Sequence, residues 1–177
     1  RLQFPDGRKP RIYSMVESHR GDILLGTAGY GLYSVKNNGI EKTANNRFTI
    51  RWERAYAERD SDVFFTHIYE DKHHYLWQSS HLSTFTRFIE KQGKVQRKDF
   101  KSPYGAPVAF IQHRPQAMLI VCMYGIIYYD YRTGRIADAG YDLGTFKNHV
   151  TINNATFDHD GNLYSSTSEH GALIIKK

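Results

Sequence analysis

An all-β fold assembled from four copies of one multi-stranded unit is predicted by three observations: an aromatic-rich composition, a strand order that recurs along the chain, and turn residues at the same point of each recurrence. Aromatics make up 14% of the 177 residues, with 13 Tyr and 10 Phe, the usage of packed β-structure. Each copy runs apolar strand, polar turn, second apolar strand, small or polar loop, third strand, and helical periodicity is poor throughout. With Leu25, Trp77, Val121 and Tyr164 as equivalent second-strand positions, the copies lie 52, 44 and 43 residues apart, close to the ~40 to 50 of propeller blades. An antiparallel sandwich would alternate similarly, but it would not repeat one strand order at that period. The predicted architecture is a β-propeller of about four antiparallel four-stranded blades. Their approximate spans are 11–50, 62–100, 107–139 and 150–177, with 51–61 as an inter-blade loop.

The elements follow in order. Copy one has strands at 12–17, 23–27 and 31–35, copy two at 63–69, 75–77 and 82–89, copy three at 108–112, 118–122 and 125–130, and copy four at 152–157, 163–165 and 171–175. The first hairpin turns fall at 18–22, 70–74, 113–116 and 158–162, where Gly21, Asp160, Gly161 and Asn162 tolerate positive φ or cap their own backbone. A fourth strand is predicted at 40–49, 95–100 and 136–139, after the turns Asn37-Asn38-Gly39, Lys91-Gln92-Gly93 and Arg132-Thr133-Gly134. The last copy stops before its fourth strand. The stretch 52–59 is short and polar and runs into Asp60-Ser61-Asp62, so it reads as a loop with one turn.

The whole chain sets further bounds. The longest apolar run, 117–123, is strand-sized and far short of the ~18 residues of a membrane helix, so no membrane contact is expected. No signal peptide opens the chain. The missing initiator Met before Arg1 and a finish within a strand-like pattern point to a longer parent. Cys122 is the sole cysteine, and within an apolar strand it reads as a small buried hydrophobe. Net charge is +6, divided as +4 over 1–60, +2 over 61–106 and zero over 107–177. A basic first half favours acidic partners, although no nucleic-acid motif accompanies it and none is expected to bind.

Residues 12–17, the turn and strand Gly21-Asp22-Ile23-Leu24-Leu25-Gly26-Thr27, and Gly31-Leu32 together resemble the two-component regulator propeller repeat. The same repeat is visible at Glu70-Asp71-Lys72 with Leu76-Trp77, and from Phe157 to Tyr164 with Gly171. Blade two replaces Gly26-Thr27 by Gln78-Ser79 and carries His81 where glycine is usual, and blade three keeps only Gly125-Ile126. The resemblance implies the periplasmic sensor region of a Bacteroides-type hybrid two-component system, which detects breakdown products of complex glycans. It also implies a seven-bladed parent of which this is part, a histidine kinase outside this chain, and a homodimer through the parent receptor.

Antiparallel order puts the second-to-third-strand loops and the inter-blade connections at one end of a propeller, and the first hairpins at the other. The expected ligand site therefore gathers Tyr30, His81, Tyr124, Glu169 and His170 from the loops, and Arg51, Trp52, Arg54, Tyr104 and His149 from the connections. Aromatic planes stack on sugar faces and guanidinium forks grip carboxylate or sulfate, so an oligosaccharide, acidic ones included, is the expected partner. Taken singly, each of these residues also reads as a blade-end cap.

No metal or cofactor is expected. His67, His73, His74 and His81 do not share a face, and no carboxylate or Cys completes a set with them. Asp158-His159-Asp160-Gly161-Asn162 lacks the glycine and closing Glu of a calcium loop, and the glycine stretch 26–31 leads into a strand, away from any helix N-terminus. No nucleophile elbow or carboxylate pair appears, so catalysis is not expected. The rival readings are a lyase or glycosidase using Glu169, His170, His81 and Tyr124, and a protein-interaction or dimerisation propeller.

Overall fold

The computed structural model describes residues 11–29, 31–42, 48–55, 66–92, 94–141, 143 and 150–175, with backbone alone for 36–42 and 48–55. Alternating apolar residues and turn formers arrange them as four antiparallel meanders. Blade 1 comprises β1 (Ile12–Glu17), β2 (Ile23–Thr27), β3 (Leu32–Lys42) and β4 (Phe48–Ala55). Blade 2 comprises β5 (His67–Glu70), β6 (Leu76–Ser79), β7 (Thr84–Lys91) and β8 (Lys94–Lys101). Blade 3 comprises β9 (Pro107–Arg114), β10 (Ala117–Cys122), β11 (Gly125–Asp130) and β12 (Arg135–Asp138), and blade 4 comprises β13 (Ile152–Phe157), β14 (Leu163–Thr167) and β15 (Gly171–Ile175). Strand order within each sheet is sequential, as expected for propeller blades.

One register recurs in all four. The first residue of each first strand faces the last residue of the second: Ile12 with Thr27, His67 with Ser79, Pro107 with Cys122, and Ile152 with Thr167. All four second strands thus end on a small buried side chain.

Blade 1 departs from expectation at its outer edge. Its third strand continues through the Asn37-Asn38-Gly39 segment, with a register irregularity between Val35 and Ile40, and then pairs Ile40 with Ile50 and Lys42 with Phe48. Of the predicted fourth strand at 40–49, residues 40–42 end β3 and 48–49 begin β4, 43–47 lie outside the described residues, and 51–55 is strand and not inter-blade loop. The alternation Phe48, Ile50, Trp52 is β-forming and outweighs the turn signal of Asn-Gly.

The chain divides into two compact units, residues 1–80 with 86–98, and residues 81–85 with 99–177. In the first, Leu24, Leu32, Ile68, Leu76 and Phe88 form a core joined by Val16. Even-numbered β1 residues face it: Ser14 Oγ accepts the Ile68 N–H at 3.1 Å, while Tyr13 and Met15 point away, 57% and 67% exposed. In the second, Val108, Leu119, Val121, Ile126, Val150, Ile152, Leu163 and Ile175 form the core between blades 3 and 4. A further stack runs from Phe85 over Phe100 (centroids 5.2 Å) and Phe110 (6.1 Å), with Tyr129 edge-on to Phe100. Each such side chain contributes about 1.5–3 kcal/mol by burial.

Candidate functional site

In the second unit the loop end is held by backbone hydrogen bonds that knit each loop to a neighbouring connection. Ser102 N–H donates to Ser83 O (2.7 Å), Tyr124 N–H to Tyr104 O (3.0 Å), Met123 N–H to Ala106 O (3.0 Å), Ile152 N–H to Met123 O (2.9 Å), and Ser168 N–H to Thr151 O (3.1 Å). His81, Tyr104, Tyr124, Glu169 and His170 consequently lie at one end of three successive blades.

Glycines set the two tyrosines. A Cβ on Gly125 would fall 2.6 Å from Tyr104 Cγ, so the Tyr104 ring lies directly on that backbone. Gly105, at φ +77, has the Tyr124 ring 3.0 Å from where its Cβ would be, a left-handed position that favours glycine. Tyr124 remains 44% exposed. The Tyr104 hydroxyl donates to Asp138 Oδ2, and that carboxylate holds the phenol above its usual pKa. The corner thus presents one fixed and one exposed aromatic ring beside an oriented carboxylate.

Glu169 is spoken for by the backbone. It accepts the Thr151 N–H at 2.8 Å, which holds its carboxyl below the usual range. His170 N–H donates to Thr167 Oγ1 at 3.0 Å, and that hydroxyl donates to Gly171 O at 2.9 Å. The cap reading of these two residues therefore has a concrete geometry.

The other predicted members fall elsewhere in the chain or outside the described residues. Arg51, Trp52 and Arg54 stand on β4, in the first unit, and not in a connection as expected. Trp52 faces Val35 and Arg54 faces Tyr33 in the register. Tyr30 and His149 lie outside the described residues.

In the first unit, the first hairpin turns of blades 1 and 2 hold an arrangement that sequence reasoning missed. Glu70, at the end of β5, has Oε1 in contact with His19 Nδ1 and 3.2 Å from His74 Nδ1, and Oε2 accepts the His19 N–H at 3.1 Å. The two imidazoles stack at 4.1 Å. The expectation that no carboxylate stands with His67, His73, His74 or His81 thus fails at His74, which Glu70 accompanies. His19 and His74 occupy first hairpin turns of consecutive copies, and that shared place was the available signal. Cys122 conforms to expectation: fully buried, with its thiol pushed up to about 11 by desolvation.

No family description matches the sequence, and no curated protein does either. Solved structures do. The extracellular domain of BT4673, assigned to a hybrid two-component system of B. thetaiotaomicron, shares a TM-score of 0.59 at 18% identity, covering 96% of this chain and 24% of that one. The extracellular domain of BT3049, assigned to another hybrid two-component system of that organism, gives 0.62 at 15%, covering 93% and 21%. Virginiamycin B lyase of Staphylococcus aureus, in a catalytically inactive form with quinupristin, gives 0.60 at 17%, covering 98% and 57%. The chain spans under a quarter of the length of these two sensor domains. What the likenesses share with this protein is the fold: successive antiparallel blades of a β-propeller.

Proposed function

We propose that this chain is a ligand-sensing propeller segment of an extracytoplasmic receptor. In this reading it binds an oligosaccharide at the loop end of its second unit and signals to a histidine kinase outside the chain. The observation that carries the reading is the Tyr104–Tyr124 corner, where a half-exposed ring, a fixed ring and Asp138 stand together on a rigid glycine-backed platform. A sugar needs this combination of an apolar plane for its C–H face and directed acceptors for its hydroxyls. The fold likeness to extracellular sensor domains supports the sensing role and the location, and a non-catalytic part agrees with Glu169 serving as a backbone cap.

The carboxylate at this corner, Asp138, is acidic, and residues 107–177 carry no net charge. A neutral saccharide therefore fits better than an acidic one. A panel of neutral and acidic oligosaccharides in a thermal-shift assay tests this, since a ligand of the native state raises Tm by mass action. A shift with a neutral class that Tyr124→Ala abolishes is the expected result. A flat panel from a well-folded protein would turn the reading toward a protein partner, to be read from dimerisation in size-exclusion chromatography. Turnover of a saccharide that His81→Ala abolishes would favour the lyase or glycosidase reading.

A further inference from the structure

We propose that His19, Glu70 and His74 form a divalent transition-metal site joining the first hairpin turns of blades 1 and 2. The donor atoms of the three side chains lie within 4.8 Å of one another. Both imidazoles present Nδ1 to the same carboxylate oxygen, so three lone-pair donors from two blades meet at one place. Metal–ligand bonds of ~2.0 Å at tetrahedral angles put ligand atoms about 3.3 Å apart. The 3.2 Å between His74 Nδ1 and Glu70 Oε1 meets that spacing, and His19 reaches it by drawing back slightly from the same oxygen.

The ligands stand on a prepared frame. Asp71 Oδ1 accepts the N–H groups of His73 (2.8 Å) and Tyr75 (3.0 Å), and Oδ2 accepts Trp77 Nε1–H at 2.7 Å. His74 N–H donates to Asp71 O at 2.8 Å, and His74 sits at φ +59. That left-handed conformation is uncommon outside glycine but enriched for histidine, and here it turns the ring toward Glu70. Blade 1 is tied to blade 2 beside the cluster by Arg20 Nη2 to Glu90 Oε2 at 3.0 Å. Glu70 is 9% exposed, whereas His19 and His74 are 38% and 57% exposed, so solvent can supply the remaining coordination position.

Two imidazoles and one carboxylate suit zinc, copper or nickel, whereas calcium and magnesium take oxygen ligands. A bound ion would staple blade 1 to blade 2. This site is distinct from the proposed saccharide corner and does not depend on it.

Titration of the full metal-free chain with Zn2+, followed by calorimetry and thermal unfolding, tests the assignment. One Zn2+ per chain and a rise in Tm are expected. His19→Gln and His74→Asn alter exposed side chains, and Asn at position 74 tolerates the left-handed turn; each should weaken affinity by about tenfold or more. His159→Asn, on blade 4, should leave it unchanged. Absence of Zn2+ uptake, or uptake that is equal in the parent, His19→Gln and His74→Asn, would overturn the proposal.

Discussion

Asp71 is 3% exposed, yet its carboxylate is filled by two turn N–H groups and the Trp77 indole N–H. A buried carboxylate is tolerated when such donors replace water. Asp71→Ala strands three donors and should cost about 2–4 kcal/mol, measured by urea unfolding. Asp158 plays the same part in blade 4 in a more open setting: Oδ1 accepts the N–H groups of Asp160 (3.0 Å) and Asn162 (2.8 Å), and Oδ2 accepts Asn162 Nδ2–H (2.9 Å). The Asn162 side chain first, then its backbone N–H, hold the Asp158 carboxyl below its usual value; the Thr151 N–H does so for Glu169, and the Thr133 N–H for Asp130. Folded values below unfolded ones mean that this stabilisation is whole above the ordinary carboxylate range, about pH 4. It is lost as pH falls through the lower folded values. Urea midpoints taken from neutral pH to pH 2 should therefore drop in that window, and Asp158→Asn should make the drop shallower.

Among elements, the second strands explain which blades carry the repeat most clearly. Thr27 Oγ1 donates to Gly31 O at 2.6 Å and Thr167 Oγ1 to Gly171 O at 2.9 Å, so the Thr and Gly of blades 1 and 4 are two ends of one hydrogen bond between residues four positions apart. Blades 2 and 3 end the same strand on Ser79 and Cys122; Ser79 Oγ lies 3.4 Å from His67 Nδ1, and Ser102 Oγ donates to the Cys122 thiol at 3.2 Å. Loss of the Thr-to-Gly pair there reflects a change of partner within a retained register. Thr27→Val and Thr167→Val should each cost about 1 kcal/mol, and the pair should add, since the two threonines share no partner; chemical denaturation of the singles and the double checks this. The element that misled prediction was β3–β4, where Asn37-Asn38-Gly39 has strong local turn chemistry. Cross-strand pairing of Ile40 with Ile50 carries the strand past it, a decision made by a partner ten residues away.

For the molecule as a whole, each unit has its own core, and apolar residues divide sharply by which side of a blade they occupy. On blade 4, Leu163 and Ile175 face blade 3, whereas Tyr164 and Ile174 face away, 37% and 55% exposed. Ile152→Ala should cost about 2–5 kcal/mol because Ile152 is fully buried, and Ile174→Ala at most about 0.5 kcal/mol. Denaturant midpoints of the two variants decide it, and equal losses would mean that the outward face is covered in solution.

By itself the sequence determined the strand content, the strand order, the repeat period and most turns. These depend on alternation and on hydrogen bonds that close within about four residues, such as those of Asp71, Asp158 and Thr167. It also marked Tyr104 and Tyr124 as loop-end residues. Only the tertiary structure set the Tyr104 ring on Gly125 and against Asp138, moved Arg51, Trp52 and Arg54 onto an edge strand, and brought His19 to Glu70 across 51 positions. Those arrangements rest on register and on the packing of one blade against the next, and both are settled by pairing and burial between segments far apart in the chain.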